Sequence, residues 1–402
     1  MMGSGNRSLT FGSLSIVLVK HVPLPNWYLP MIFLVTTVLL SMHLVAVNLA
    51  AAAPLVCVWL GWRRDDLSGR IGRNLAWIAL YALLAGTFLG FALGGLYRFE
   101  EPPNYWNMLG RFPVRGYVVV LLELVFSLVC LFIYALTWER LKRHRFVHAL
   151  FACLATTNLL YHFPPLMSAM SLLADRPELI LEETITRPLL RPVLMSPTVI
   201  SLSVHFALAS LAVTGVALMV LGLRFGEQGK MITAFGGRIA LVSTLLQLVV
   251  GVWVIMEVPA GVRNGIMGND PLTALMFGVS LFGVFGVMLT LAGVSLGQCN
   301  AAAVRRTTLL MGIVILLMVG VLVRGRHLTQ RGIVRDEALG ARSVLPASGE
   351  SRHLLKLGVA WRGKCFPKLV AAVPARDLAT ALVDSPKKLL PQYGSSFAGG
   401  FL

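Results

Sequence analysis

The chain has 402 residues, 56% of them hydrophobic and only 13% charged, with a formal charge of +17 and a mean hydropathy of +0.76. Soluble domains average about 25% charged residues, so a water-soluble enzyme of ordinary type is excluded, and such apolar content is the opposite of the disordered signature. The five cysteines (Cys57, Cys130, Cys153, Cys299, Cys365) are far apart and form no CxxC pattern, which leaves disulfides and zinc without sequence support.

A bilayer-crossing helix needs roughly 20 mostly apolar residues. In chain order, the candidates fall at 39–61, 74–97, 116–138, 146–170, 199–222, 234–256, 271–296 and 307–324. The expected fold class is therefore an all-α polytopic membrane protein with about eight transmembrane helices. Two four-helix bundles, 39–170 and 199–324, are separated by an outer loop at 171–198. Residues 1–38 are read as an N-terminal segment in which Met31–Met42, following Pro30, forms a helix along the membrane surface. The first 27 residues lack the basic run and short apolar core of a signal peptide.

Lys and Arg counts in short loops set orientation. Span 1 is followed by Arg63, Arg64, Arg70 and Arg73, and span 3 by Arg140, Lys142, Arg143 and Arg145. Arg224 and Lys230 follow span 5, and Arg305 and Arg306 follow span 7. The alternate loops are poorer in positive charge; Asp175–Arg191 holds four carboxylates against three arginines. The basic loops are thus expected in the cytoplasm and the N-terminus outside. From Arg324 onward thirteen Lys/Arg face five Asp/Glu. This stretch, 325–402, is read as a basic tail with solvated charge and no nucleic-acid partner.

Ionisable groups within spans are costly and mark function by default. Those read as functional are His43 in span 1, Glu123 in span 3, His162 in span 4 and His205 in span 5, with Asn48, Asn158 and Gln247 as the main uncharged additions. At ~1.5 Å per residue, all four ionisable groups fall in the outer half of the membrane, and Glu257 joins the same layer. Neutral imidazole binds iron, and bundles build cofactor sites from inward side chains at matched depth. Haem iron takes His or His/Met as axial pairs. Met276 in span 7 is read as level with His205, so that pair could hold one b-type haem, and His43 with His162 or Glu123 another. The plainer reading stands beside this one: a membrane histidine bonded to a neighbouring helix carbonyl. Glu123 has three readings, as haem ligand, proton-relay carboxylate, or protonated acid bonded to a neighbour. Asn158, Tyr161, His162, Pro164 and Pro165 are expected to break the outer part of span 4.

At these residues the chain resembles subunit I of the cytochrome bd-type quinol oxidases. Met42-His43 with Val47-Asn48-Leu49 matches the family's haem-ligating histidine near the outer surface. Asn104-Tyr105-Trp106 precedes span 3, Trp138-Glu139-Arg140-Leu141 follows it, and Asn158 matches a polar position in span 4. Ser203-Val204-His205 with Val213-Thr214-Gly215 matches the segment carrying the proximal histidine of the low-spin haem b. The resemblance covers about residues 28–300. It implies haem b (one or two, with a further haem in the family), quinol as substrate, a second membrane subunit and redox partner, and a bacterial cytoplasmic membrane.

The departures are specific. The family's long quinol-binding loop shrinks here to about Glu257–Asp270, its methionine ligand aligns near Val279 rather than Met276, and Glu123 lies between the aligned glutamate positions Val119 and Ser127. The ninth helix and Gly-Arg-Gln-Pro-Trp motif have no counterpart. The resemblance thus implies a haem b-binding electron-transfer subunit, with Glu123 as the catalytic candidate if quinol:oxygen oxidoreductase activity persists. A haem-free membrane anchor of a respiratory complex and a transporter are the competing readings.

Overall fold

The computed structural model describes residues 28–63, 65–100, 104–141, 143–175 and 184–344, with helix backbone alone beyond Gln330. The helices are, in order, α1 (Tyr28–Trp62), α2 (Asp66–Leu96), α3 (Asn104–Gly110), α4 (Val114–Leu136), α5 (Arg145–Asp175) and α6 (Arg187–Leu194). After them come α7 (Pro197–Leu223), α8 (Gly226–Glu257), α9 (Ala260–Asn264), α10 (Pro271–Ser295) and α11 (Ala301–Val344). Eight of these are long and apolar enough to cross a membrane, so the chain is an all-α integral membrane protein.

Local chemistry starts several of these helices. Asp65 accepts a hydrogen bond from Ser68 N at α2, and Asp270 accepts one from Thr273 N at α10. Asn300 Oδ1 does the same for Ala303 N at α11. Each satisfies an N–H that a first turn leaves without an intrahelical partner. Pro197 and Pro271 stand in first turns, where a missing N–H is harmless.

α1, α2, α4 and α5 close a ring of neighbours: α1 on α2 and α5, α4 on α2 and α5. In the second group α8 lies between α7 and α10, and α11 seats Val314 beside Gly283 of α10. The groups meet where α7 packs on α1 and α5. One end carries the arginine-rich connections α1–α2, α4–α5, α7–α8 and α10–α11, and is here the basic end. The connections holding α3, α6 and α9 lie at the opposite end.

The glycines of α7 and α8 allow backbone contact. A Cβ on Gly215 would lie 2.6 Å from Gly236 O, and one on Gly229 would collide with Gly222 O. The two pairs, seven residues apart on each helix, run in antiparallel register. Such small-residue seams bring membrane helices close, where dispersion contacts do the work that hydrophobic exclusion does in water.

Three boundaries differ from the sequence reading. No separate surface helix precedes α1: Met31–Met42 continues the rod, with Ile32, Thr36 and Leu40 buried. Pro30 sits in the first turn, where it breaks no hydrogen bond. α5 likewise runs unbroken through Pro164 and Pro165, despite the two N–H groups they remove from its ladder. Finally, α11 does not stop at Arg324; Arg326 is 8% exposed and Gln330 fully buried. The compact unit extends to Asp336, and of the second unit, Glu337–Leu402, the described residues are the last turns of α11. The tail beyond Val344, residues 1–27, and Glu178, Glu182 and Glu183 of the outer loop lie outside the described residues.

Candidate functional site

His43 stands on α1 facing α2. Its Nδ1 is 2.8 Å from the carbonyl of Gly86, an acceptor only, so Nδ1 carries the proton and donates it. Nε2 is then the neutral, lone-pair nitrogen. This is the arrangement by which ligating histidines fix their tautomer and ring direction. Room for the ring comes from α2: a Cβ on Gly90 would lie 3.1 Å from His43 Cε1, and one on Gly86 would strike Val47. Gly94 and Gly95, in the same glycine-rich run, have open space around them.

His205 turns the other way, toward α8, with Nε2 3.4 Å from Gln247 Nε2. An amide nitrogen only donates, so His205 Nε2 accepts, and the buried Nδ1 has no partner among the described residues. One turn and a half further along, Ser210 Oγ donates to Asn48 Oδ1 of α1 at 2.8 Å. α1 and α7 run parallel, and His43 and His205 each precede that bond by five residues, or ~7.5 Å of helix. The two imidazoles therefore share one depth and point into different helix groups.

Met276 stands apart from this pair. Its methyl end packs on Gly320 of α11, at a point where Thr37 of α1 is the next neighbour. Thr37 lies six residues before His43, ~9 Å nearer the opposite end. Met276 and His205 therefore address different partners at different levels.

Glu123, Asn158 and His162 form one network between α4 and α5. Asn158 Nδ2 donates to Glu123 O at 2.7 Å and to Ser127 Oγ at 2.8 Å, and its Oδ1 receives His162 Nδ1 at 2.7 Å. Both amide protons are used, so the amide orientation is fixed and His162 Nε2 is again the free acceptor. Glu123 Oε2 lies 3.9 Å from His162 Nδ1, and the two side chains are 31% and 45% exposed on the flank of the bundle. The remaining residue of the expected layer, Glu257, enters through its backbone, accepting from Thr198 Oγ1.

A second polar cluster, at the opposite end, escaped the sequence reading. Arg326 of α11 is held between the rings of Tyr97 and Tyr105, 5.3 and 5.1 Å from their centroids. Its Nη2 donates to Ser171 Oγ at 3.4 Å. Its Nε and Nη1, both carboxylate oxygens of Glu100, and both amide atoms of Gln330 are buried without hydrogen-bond partners among the described residues. Burial pushes the Glu100 carboxyl up; the Arg326 charge pulls it down and the Asp175 charge raises it again. Arg324 and Arg326 look like interfacial anchors closing a span, and only the inward turn of Arg326 distinguishes the two. Tyr105, in the Asn104-Tyr105-Trp106 stretch, was the available signal.

Among the described residues no three His, Cys, Asp or Glu side chains form a group able to hold a bare metal ion. A macrocycle supplies four of its metal's ligands itself and asks the protein for one or two. His43, with its tautomer fixed and its lone pair on Nε2, suits that requirement; at His205 the lone pair is on Nε2, which faces Gln247, and the orphaned Nδ1 carries the proton. No protein-family model and no curated protein matches the chain.

Proposed function

We propose that this protein is a membrane electron-transfer subunit that holds b-type haem at His43 in the first helix group and at His205 in the second. The observation that carries the reading is the His43 Nδ1–Gly86 carbonyl bond at 2.8 Å, which leaves the lone pair of the neutral ring on Nε2. The matched depth of His205 supports a second site, where Nε2, which faces the Gln247 amide, would be the ligating nitrogen. Bound haem would supply reversible one-electron chemistry. The chain's own residues would bury it and supply the axial nitrogens, His43 with its tautomer set by Gly86.

The Glu123 carboxylate and the His162 ring, 3.9 Å apart, suit proton holding. The reading favours electron transfer over oxygen reduction, because the resemblance to bd-type oxidases lapses at the methionine ligand, the second glutamate and the quinol loop. A second membrane subunit follows from the same resemblance, and a quinol donor would need a site other than the shortened loop Glu257–Asp270. The arginine-rich loops support placing the basic end in the cytoplasm of a bacterial inner membrane, with α1 beginning outside.

The test is a reduced-minus-oxidised absorption spectrum of the purified protein, with pyridine haemochrome quantitation, after expression with haem supplied. The expected result is b-type haem, one equivalent of which His43→Ala removes and another His205→Ala removes. Folded protein without haem overturns the reading in favour of a haem-free membrane anchor. An unchanged spectrum in both variants overturns the ligand assignment.

A further inference from the structure

On the flank at the basic end, α7 and α11 leave a groove of about 340 Å³, lined by Val220 and Leu223 of α7 and Thr308 and Leu309 of α11, with Arg305 at its rim. A second hollow of about 530 Å³ shares Arg305 and Leu309 and adds Arg306. Both are open on the flank of the protein rather than enclosed. Their walls are almost wholly hydrocarbon, and the groove lies along two membrane spans.

Positive charge gathers at the rim. Arg305 and Arg306 are exposed, and neither pairs with a carboxylate among the described residues; Arg305 Nε donates to Ala301 O of its own helix at 3.3 Å. At the same end Arg63 pairs with Asp65, Arg73 with Glu139 and Lys230 with Glu227. α11 also begins here, so the partial positive charge of its first turn adds to the two guanidinium groups.

We propose that the groove binds one anionic phospholipid from the surrounding bilayer. The phosphodiester lies between Arg305, Arg306 and the start of α11, and an acyl chain lies against Val220, Leu223 and Leu309. A guanidinium matches two phosphate oxygens at once. Grease alone would take any acyl chain and charge alone any anion. Stacked along the membrane normal, as here, they select a lipid whose headgroup is negative.

The experiment is native mass spectrometry of the full-length protein in detergent, equilibrated with equal amounts of phosphatidylglycerol and phosphatidylcholine. One phosphatidylglycerol should be retained in preference, and excess inorganic phosphate should not displace it. Arg305→Gln with Arg306→Gln should lower its retention about tenfold. Val220→Trp, which fills the groove and leaves both arginines, should lower it likewise. Arg140→Gln with Arg143→Gln, elsewhere at the same end, should not. Equal retention of the two lipids, displacement by phosphate, or wild-type retention in the groove variants with an unchanged melting temperature would each overturn the proposal.

Discussion

A single hydrogen bond decides what a membrane histidine can do. In His43 the Gly86 carbonyl takes the Nδ1 proton, and in His162 the Asn158 carbonyl oxygen does the same. His205 has a donor facing one nitrogen and no partner at the other. The sequence shows that these residues are costly at their depth; it cannot show which nitrogen remains free at His43 and His205, because there that depends on a neighbour some forty positions away. Glu100 makes the point more sharply. It looks like an ordinary interfacial acid, yet the fold leaves it 2% exposed with both oxygens unpartnered among the described residues. Its raised pKa has a definite sign. Below about pH 4 both folded and unfolded states are protonated and no cost arises. As pH rises, the unfolded state ionises first, and stability falls until the folded value is passed. Glu100→Gln should therefore match wild type in melting temperature near pH 4 and exceed it at pH 7 to 8. A variant that loses stability equally at every pH would show that the carboxylate is satisfied.

At the scale of elements, hydropathy located all eight spans because an apolar run of sufficient length has no other use. It failed at their ends. Pro30 reads as a break but costs nothing in a first turn, and Pro164–Pro165 cost two hydrogen bonds that the packing of α5 tolerates. Arg324 reads as a terminus, although α11 carries on because its next polar residues turn inward. Glycine is similarly ambiguous until its neighbours are known. A Cβ on Gly229 would collide with Gly222 O, whereas Gly251, on the same helix, meets nothing within 4 Å. Gly229→Ala should cost about 1–3 kcal/mol, the usual penalty of overpacking. Gly251→Ala should gain up to about 1 kcal/mol, because alanine loses less backbone freedom in a helix. Thermal unfolding in one detergent compares them; equal shifts would show that the α7–α8 seam is not close-packed.

Across the whole molecule, the ends of distant helices are tied by few polar contacts. Asp270 caps α10 and also accepts Arg324 Nε and Nη2 of α11 at 3.2 and 3.0 Å. Those bonds hold its carboxyl well below the usual range against the opposing effect of burial, with Thr273 adding to them. A depressed carboxylate contributes stability above its ordinary pKa, near 4, and loses it as pH falls through the folded value. Asp270→Asn should thus cost about 1.5–3 kcal/mol at pH 7, the worth of a charged hydrogen bond, and progressively less below pH 4. Melting curves from pH 3 to 7 check it, and a difference independent of pH would assign the loss to the cap alone. The eight spans were readable from hydropathy, but the packing of α7 on α1 and α5 was not. It rests on buried small residues such as Ser210 and Ala50–Ala53, which no periodicity marks. The bond from Ser210 to Asn48 keys α1 to α7 in parallel register, so the two imidazoles stand at one level along the paired helices. An electron passing between groups held at His43 and His205 would cross no part of the transmembrane field, which otherwise weighs about 2.3 kcal/mol per charge per 100 mV. Its rate would be indifferent to membrane voltage.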